Sequence, residues 1–202
     1  MENNLRPPDW EPLLTNAALR YYTAFFSPEE AAHYFQVFNN TIAWQQDPIT
    51  VFGKTYMQPR LTALYSIDSQ DYSYSGITMH PHPMTPELTD ILTRIKAVCK
   101  TDFTSVLLNC YRDGQDSNGW HADNEKELGT NPVIASVSFG AERFFHLKHR
   151  KIKEEKHKIV LHNGSLLLME GSMQHHWLHQ IAKTAKPVGP RINLTFRKII
   201  QK

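Results

Sequence analysis

After residue 100 the chain becomes a succession of short strand candidates with no helical stretch between them, and this restricts the fold most. The candidates are residues 104–111, 132–139, 143–148, 158–161, 165–170 and 190–199, all rich in β-branched, aromatic or leucine side chains. Turn sequences such as Arg112-Asp113-Gly114 and His162-Asn163-Gly164 separate them. Parallel strands need long, usually helical crossovers, so a βαβ sheet is disfavoured and a β-sandwich or barrel is expected.

The first hundred residues differ. Ser27-Pro28-Glu29-Glu30 carries a capping Ser, a first-turn Pro and a Glu three residues on, the pattern of a helix start. Ala31, Tyr34, Phe35 and Phe38 follow at helical spacing. A second helix begins at Thr85-Pro86-Glu87, with Leu88, Ile91, Leu92, Ile95 and Cys99 on one face. Residues 49–79 between them read as hairpins. No linker or repeat divides the 202 residues, so one domain is expected: helices and hairpins over about 1–100, a β core over about 101–202. No apolar run approaches the length of a membrane span, and no basic segment followed by an apolar stretch marks a secretory leader. Cys99 and Cys110 make no CxxC, so a reducing, cytoplasmic setting is expected, and a formal charge of +2 identifies no partner.

His121-Ala122-Asp123 is the first pattern that could carry chemistry. Residues two apart on a strand project from one face, so imidazole and carboxylate can converge on a cation. With 11 histidines and 20 acidic residues in the chain, one such pair is about what chance provides. Downstream, the segment 171–179 adds His175, His176 and His179. Two histidines and a carboxylate form a facial triad that leaves three positions open on a non-haem Fe(II), and the same set would serve a hydrolytic zinc.

The C-terminal strand bears on that choice. Alternation puts Arg191, Asn193, Thr195 and Arg197 on one face and Ile192, Leu194 and Phe196 on the other. If the polar face is solvated it is decorative. If it points inward, two guanidiniums are buried and need anionic partners, which a dicarboxylate cosubstrate would supply. Asn109 and Tyr111 share a face of the strand entering the His-x-Asp segment and could bind the same molecule.

Several ordered motifs together resemble one family. They are Asn109-Cys110-Tyr111-Arg112-Asp113-Gly114, Trp120-His121-Ala122-Asp123-Asn124-Glu125, residues 134–140, and Arg191-Ile192-Asn193-Leu194-Thr195-Phe196-Arg197. They are similar to the AlkB family of Fe(II)- and 2-oxoglutarate-dependent dioxygenases, in its DNA repair branch, over about residues 51–202. The resemblance implies an α+β fold, mainly β: a double-stranded β-helix (jelly roll) with N-terminal helices and a nucleotide-recognition lid of hairpins. It implies His121, Asp123 and His179 as iron ligands, and Asn109, Tyr111, Arg191, Thr195 and Arg197 as 2-oxoglutarate contacts, with Arg197 on the distal carboxylate. Phe52, Gly53 and Lys54 look like a hairpin that inserts an aromatic finger beside a flipped base. Tyr72, Ser73 and Tyr74 resemble a segment near the lesion, and Arg60 sits in a matching Pro-Arg pair expected to meet phosphate or base. Asn124 departs from the family's Asp, which leaves Asn124 and Glu125 equally placed to read the base. No catalytic side chain beyond the metal site is implied.

The expected activity is oxidative demethylation of 1-methyladenine or 3-methylcytosine in single- or double-stranded DNA, using O₂ and releasing formaldehyde, succinate and CO₂. The alternatives are the same chemistry on RNA or a protein side chain, or a non-catalytic jelly-roll nucleic-acid-binding module. A monomer without membrane contact is expected, in a bacterial cytosol or nucleoid, or in a nucleus. Between Arg143 and Lys158 seven Lys/Arg face two Glu, with His146, His149 and His157 interleaved. This is either a solvated hairpin or a phosphate-tracking arm.

Overall fold

The computed structural model describes residues 7–51, 53–68, 71–74 and 77–200, with only the backbone at 50, 51, 72–74 and 77. Helix α1 (Pro28–Thr41) starts at the expected cap: the Glu30 N–H donates to Ser27 Oγ at 3.2 Å, and the Ser27 N–H donates to Glu30 Oε2 at 2.9 Å. Such a reciprocal cap contributes about 1 kcal/mol. Helix α2 (Pro86–Lys96) is capped by Thr85. It ends before Cys99, which is buried beyond the helix rather than on its face.

In chain order the strands are β1 (Ala18–Tyr22), β2 (Pro48–Val51), β3 (Lys54–Met57), β4 (Leu61–Ser66), β5 (Tyr72–Tyr74), β6 (Ile77–Met79) and β7 (His82–Pro83). Then come β8 (Ser105–Tyr111), β9 (Asn118–His121), β10 (Ile134–Gly140), β11 (Arg143–His149), β12 (Lys156–Leu161), β13 (Ser165–Glu170), β14 (Trp177–Ile181) and β15 (Arg191–Arg197). A seven-stranded sheet runs β1-β13-β10-β15-β8-β4-β7 and faces a four-stranded sheet, β12-β11-β14-β9. This is a jelly-roll-like sandwich of mainly antiparallel strands.

Two of the expected hairpins form, β2–β3 and β5–β6, but β4 belongs to the large sheet beside β8. Ala63 and Tyr65 pack under the helices while Leu64 packs between the sheets, so both faces of β4 are buried. The large sheet therefore draws β1, β4 and β7 from before residue 100. Among the described residues no helix is long and apolar enough to cross a membrane.

Two apolar layers fix the register of β15, whose seven residues are all buried. Ile192, Leu194 and Phe196 join the core beneath α1 and α2, with Phe38, Leu88, Ile91 and Phe139. Burial of each such side chain contributes about 2 kcal/mol. A one-residue slip would put the guanidiniums of Arg191 and Arg197 under the helices, so the helical layer forces the polar face into the sandwich.

Candidate active site

His121 closes β9, Asp123 lies two residues further on, and His179 sits mid-β14. The β14–β9 ladder sets His179 directly opposite His121, with ring centroids 4.2 Å apart. Asp123 Oδ1 is 3.8 Å from His121 Nε2. One ligand atom from each of the three residues lies within 4.8 Å of the others. His175 and His176 instead occupy a helical turn (α3, Met173–His176) just before β14, where His176 stacks on His149. The geometry thus selects His179 from the three candidates.

The hydrogen bonds fix the His121 tautomer. His121 Nδ1 is 2.7 Å from the Gly119 carbonyl, which can only accept, so Nδ1 carries the proton and Nε2 is the atom that can bind a metal; the Asn118 side-chain amide lies 3.2 Å from Nε2 and would give way to the ion. Asp123 Oδ2 is 3.1 Å from Arg197 Nη2, while Oδ1, though buried, has no hydrogen-bond partner among the described residues. Burial alone would raise the Asp123 carboxyl, but Arg197 and the two imidazoles overcome it and hold it at about 2. Burial pushes His179 down to about 3 and lowers His121 as well. Two neutral imidazoles and one ionised carboxylate are the protonation states that bind a divalent cation. The donor set suits Fe(II), which the facial arrangement would leave with open positions, and it suits zinc equally.

The polar face of β15 continues the site. In the β8–β15 register Tyr111 pairs with Arg191 and Asn109 with Asn193, which lines these side chains along one wall of a single cavity with the three ligands. Arg191 is 1% exposed; its Nη2 donates to Ser138 Oγ at 2.9 Å, and its Nε and Nη1 meet no acceptor among the described residues. Its guanidinium lies 5.2 Å from the Tyr111 ring centre. Burial draws Arg191 down only to about 10, so it stays charged at neutral pH. A buried cation with spare donors, aimed into a cavity, calls for an anion. Around it, Arg60 Nε donates to Asn109 Oδ1 at 2.7 Å. Asn193 Nδ2 donates to Ser136 Oγ and the Val137 carbonyl, both at 2.8 Å, and Thr195 Oγ1 donates to Asn193 Oδ1 at 3.2 Å.

Zinc hydrolysis has no use for such a cation, whereas a 2-oxoglutarate enzyme does, and the comparisons agree with the second. Residues 18–197 match the 2OG-Fe(II) oxygenase superfamily. The chain belongs to that superfamily.

Its relatives are AlkB homologues. It is 40% identical over 187 residues to the mouse alpha-ketoglutarate-dependent dioxygenase alkB homolog 3, covering 88% of this chain and 65% of that protein. It is 35% identical over 207 residues to the mouse DNA oxidative demethylase ALKBH2, covering 98% of this chain and 87% of that one. The bovine ALKBH2 is 38% identical, with 89% and 68% covered. The chain thus spans about two thirds of the length of some of these relatives. The solved structure of OsALKBH1 shares the fold at a TM-score of 0.59 and 17% identity, over 94% of this chain and 100% of that one.

In this AlkB-type chain, Arg60 is buried in the cavity wall. Gly53 occupies the turn after β2 at φ 75° and Lys54 is exposed, while Phe52 lies outside the described residues. Tyr72, Ser73 and Tyr74 form β5, described by backbone alone. Asn124 is exposed and Glu125 partly buried just beyond Asp123, and neither borders the cavity.

Four residues take a part in the site that the sequence did not assign them. Buried Gln174 accepts the Asp123 N–H on Oε1 at 3.0 Å, tying the His-x-Asp segment to the turn that leads into His179. Ser136 and Ser138 serve Asn193 and Arg191; their alternation with Ala135, Val137 and Phe139 was the available signal. Arg143 sits behind Tyr111, 5.8 Å from its ring centre, and donates to the carbonyls of Asp113, Asp116 and Ala182.

Proposed function

We propose that this chain is an Fe(II)/2-oxoglutarate-dependent oxidative demethylase of N-methylated bases in DNA, with 1-methyladenine and 3-methylcytosine as substrates. The observation that carries the cosubstrate is Arg191, a buried guanidinium with two spare donors in the same cavity as the His121/Asp123/His179 cluster. The substrate class rests on the names of the ALKBH2 relatives.

His121, Asp123 and His179 would hold the metal. Iron with 2-oxoglutarate and O₂ supplies the oxidising equivalents that put one oxygen atom on the N-methyl carbon and the other into succinate, with loss of CO₂. The resulting N-hydroxymethyl group then breaks its N–C bond and leaves as formaldehyde: the bonding pair returns to the ring nitrogen, which neutralises the cationic base, and the hydroxyl proton passes to solvent. Arg197 touches the Asp123 carboxylate proposed as a metal ligand, which supports placing it at the metal end of the cosubstrate. Arg191, next to Ser138 and Tyr111, is assigned the distal carboxylate, reversing the expectation for the two arginines. Methylation at these ring positions makes the base cationic and blocks its pairing edge, so extruding it from a duplex costs less.

The test is turnover of one 1-methyladenine sequence made as DNA and as RNA, at equal concentration. Faster methyl loss from DNA is expected; turnover on RNA alone would overturn the substrate assignment.

A further inference from the structure

The outer face of the four-stranded sheet has no role in the chemistry above. Its outward positions are Trp120 on β9, Leu178 and Gln180 on β14, Phe144, His146 and Lys148 on β11, and Lys156, Lys158 and Val160 on β12. Trp120 is 39% exposed and Phe144 42%, and no layer among the described residues covers this face of the sheet. Each carries an ammonium over its face: Lys148 Nζ at 4.2 Å from the Trp120 centroid and Lys158 Nζ at 3.6 Å from that of Phe144. Two hollows of about 420 and 440 Å³ flank the rings and share His146 and Lys158. Lys183 and Lys186 border the one beside Phe144; Glu142, its one acid, is taken up by His162.

We infer that this face binds a single-stranded segment of nucleic acid, with bases stacked on Trp120 and Phe144 and phosphates held by Lys148, Lys156 and Lys158. The inference deepens the nucleic-acid reading and rests on it. Three features point to this occupant. None of the nine outward positions is acidic, in a chain whose formal charge is only +2, so the face complements a polyanion. Flat exposed rings between lysines accept any unpaired base, whereas paired bases keep their faces inside the duplex. The cation–π contacts at exposed sites hold each ammonium by about 0.5–1 kcal/mol, so a base can take the ring face while the lysine turns to a phosphate. Trp120 and Phe144 stand two strands apart, about 10 Å across the sheet, and so receive different bases of one strand.

The test is fluorescence anisotropy with an unmethylated oligothymidylate, the intact protein and a salt series. Trp120→Leu and Phe144→Leu keep an apolar side chain on the sheet, and each should weaken binding at least about fivefold. Trp120→Phe should restore affinity, and the slope of affinity against salt should stay unchanged in all three. Lys156→Gln with Lys158→Gln should reduce that slope. Unchanged affinity in both leucine variants would overturn the inference, and so would an equal loss on a fully paired duplex. Thermal melting of each variant separates lost stacking from lost folding. The probe undergoes no turnover, so absence of demethylation would sink the proposed function and leave this result standing.

Discussion

Arg197 reaches across the sandwich to the carboxylate of Asp123, its Nη2 3.1 Å from Oδ2, with both side chains almost wholly buried. The same carboxylate would bind the metal through its other oxygen, so one residue serves as ligand and as counter-ion. Asp123→Asn should therefore do more than weaken metal binding. In metal-free protein it removes the buried carboxylate that faces the Arg197 guanidinium, and urea unfolding should show a loss of about 3 kcal/mol. An unchanged midpoint would mean the pair adds nothing to stability.

Acid should unfold the metal-free protein earlier than a surface of exposed carboxylates would. His179 lies at about 3 in the folded chain against 6.5 in the unfolded one. Between those values the unfolded state binds the extra proton, so stability falls as pH drops below about 6.5. Asp123, held at about 2 against 3.8, adds stability that is present above about pH 4 and lost from there down to pH 2. Denaturant titrations from pH 8 to 4 should show the first slope, and His179→Asn should flatten it.

The assignment of the two arginines can be tested with a keto acid that lacks the far carboxylate. Arg191→Gln should weaken 2-oxoglutarate binding about 100-fold, by losing a buried charged partner. Binding of 2-oxopentanoate should already be weak and should not change further. If Arg191→Gln weakened both acids equally, it would belong to the metal end.

Gln174 is predicted to position Asp123. Gln174→Leu should lower Mn(II) affinity 10- to 100-fold in a titration without substrate. Gln174→Glu retains an acceptor for the Asp123 N–H and should recover the fold's melting temperature. Equal metal affinity in wild type and Gln174→Leu would remove the residue from the site.

Some of this was legible in the chain because its cause is local. The Ser27 and Thr85 caps, the strand segments after residue 100 and the alternation of 191–197 are all written in neighbouring residues. The direction of that alternation was not, because the helices that cover Ile192, Leu194 and Phe196 come from far away in sequence. Strand β4 was read as part of a hairpin because burial on both faces removes the polar alternation that marks a strand. The helical turn at Met173–His176 was hidden among histidines, and with it Gln174, whose partner lies 51 residues away. The third ligand could be separated from His175 and His176 only by motif resemblance, until the β14–β9 ladder set His179 against His121.

An oligodeoxynucleotide carrying one 1-methyladenine, incubated with the protein, Fe(II), 2-oxoglutarate and O₂, should yield formaldehyde and restored adenine one for one. His121→Ala should yield neither. Intact 1-methyladenine in the presence of metal-loaded, 2-oxoglutarate-bound protein would contradict the account.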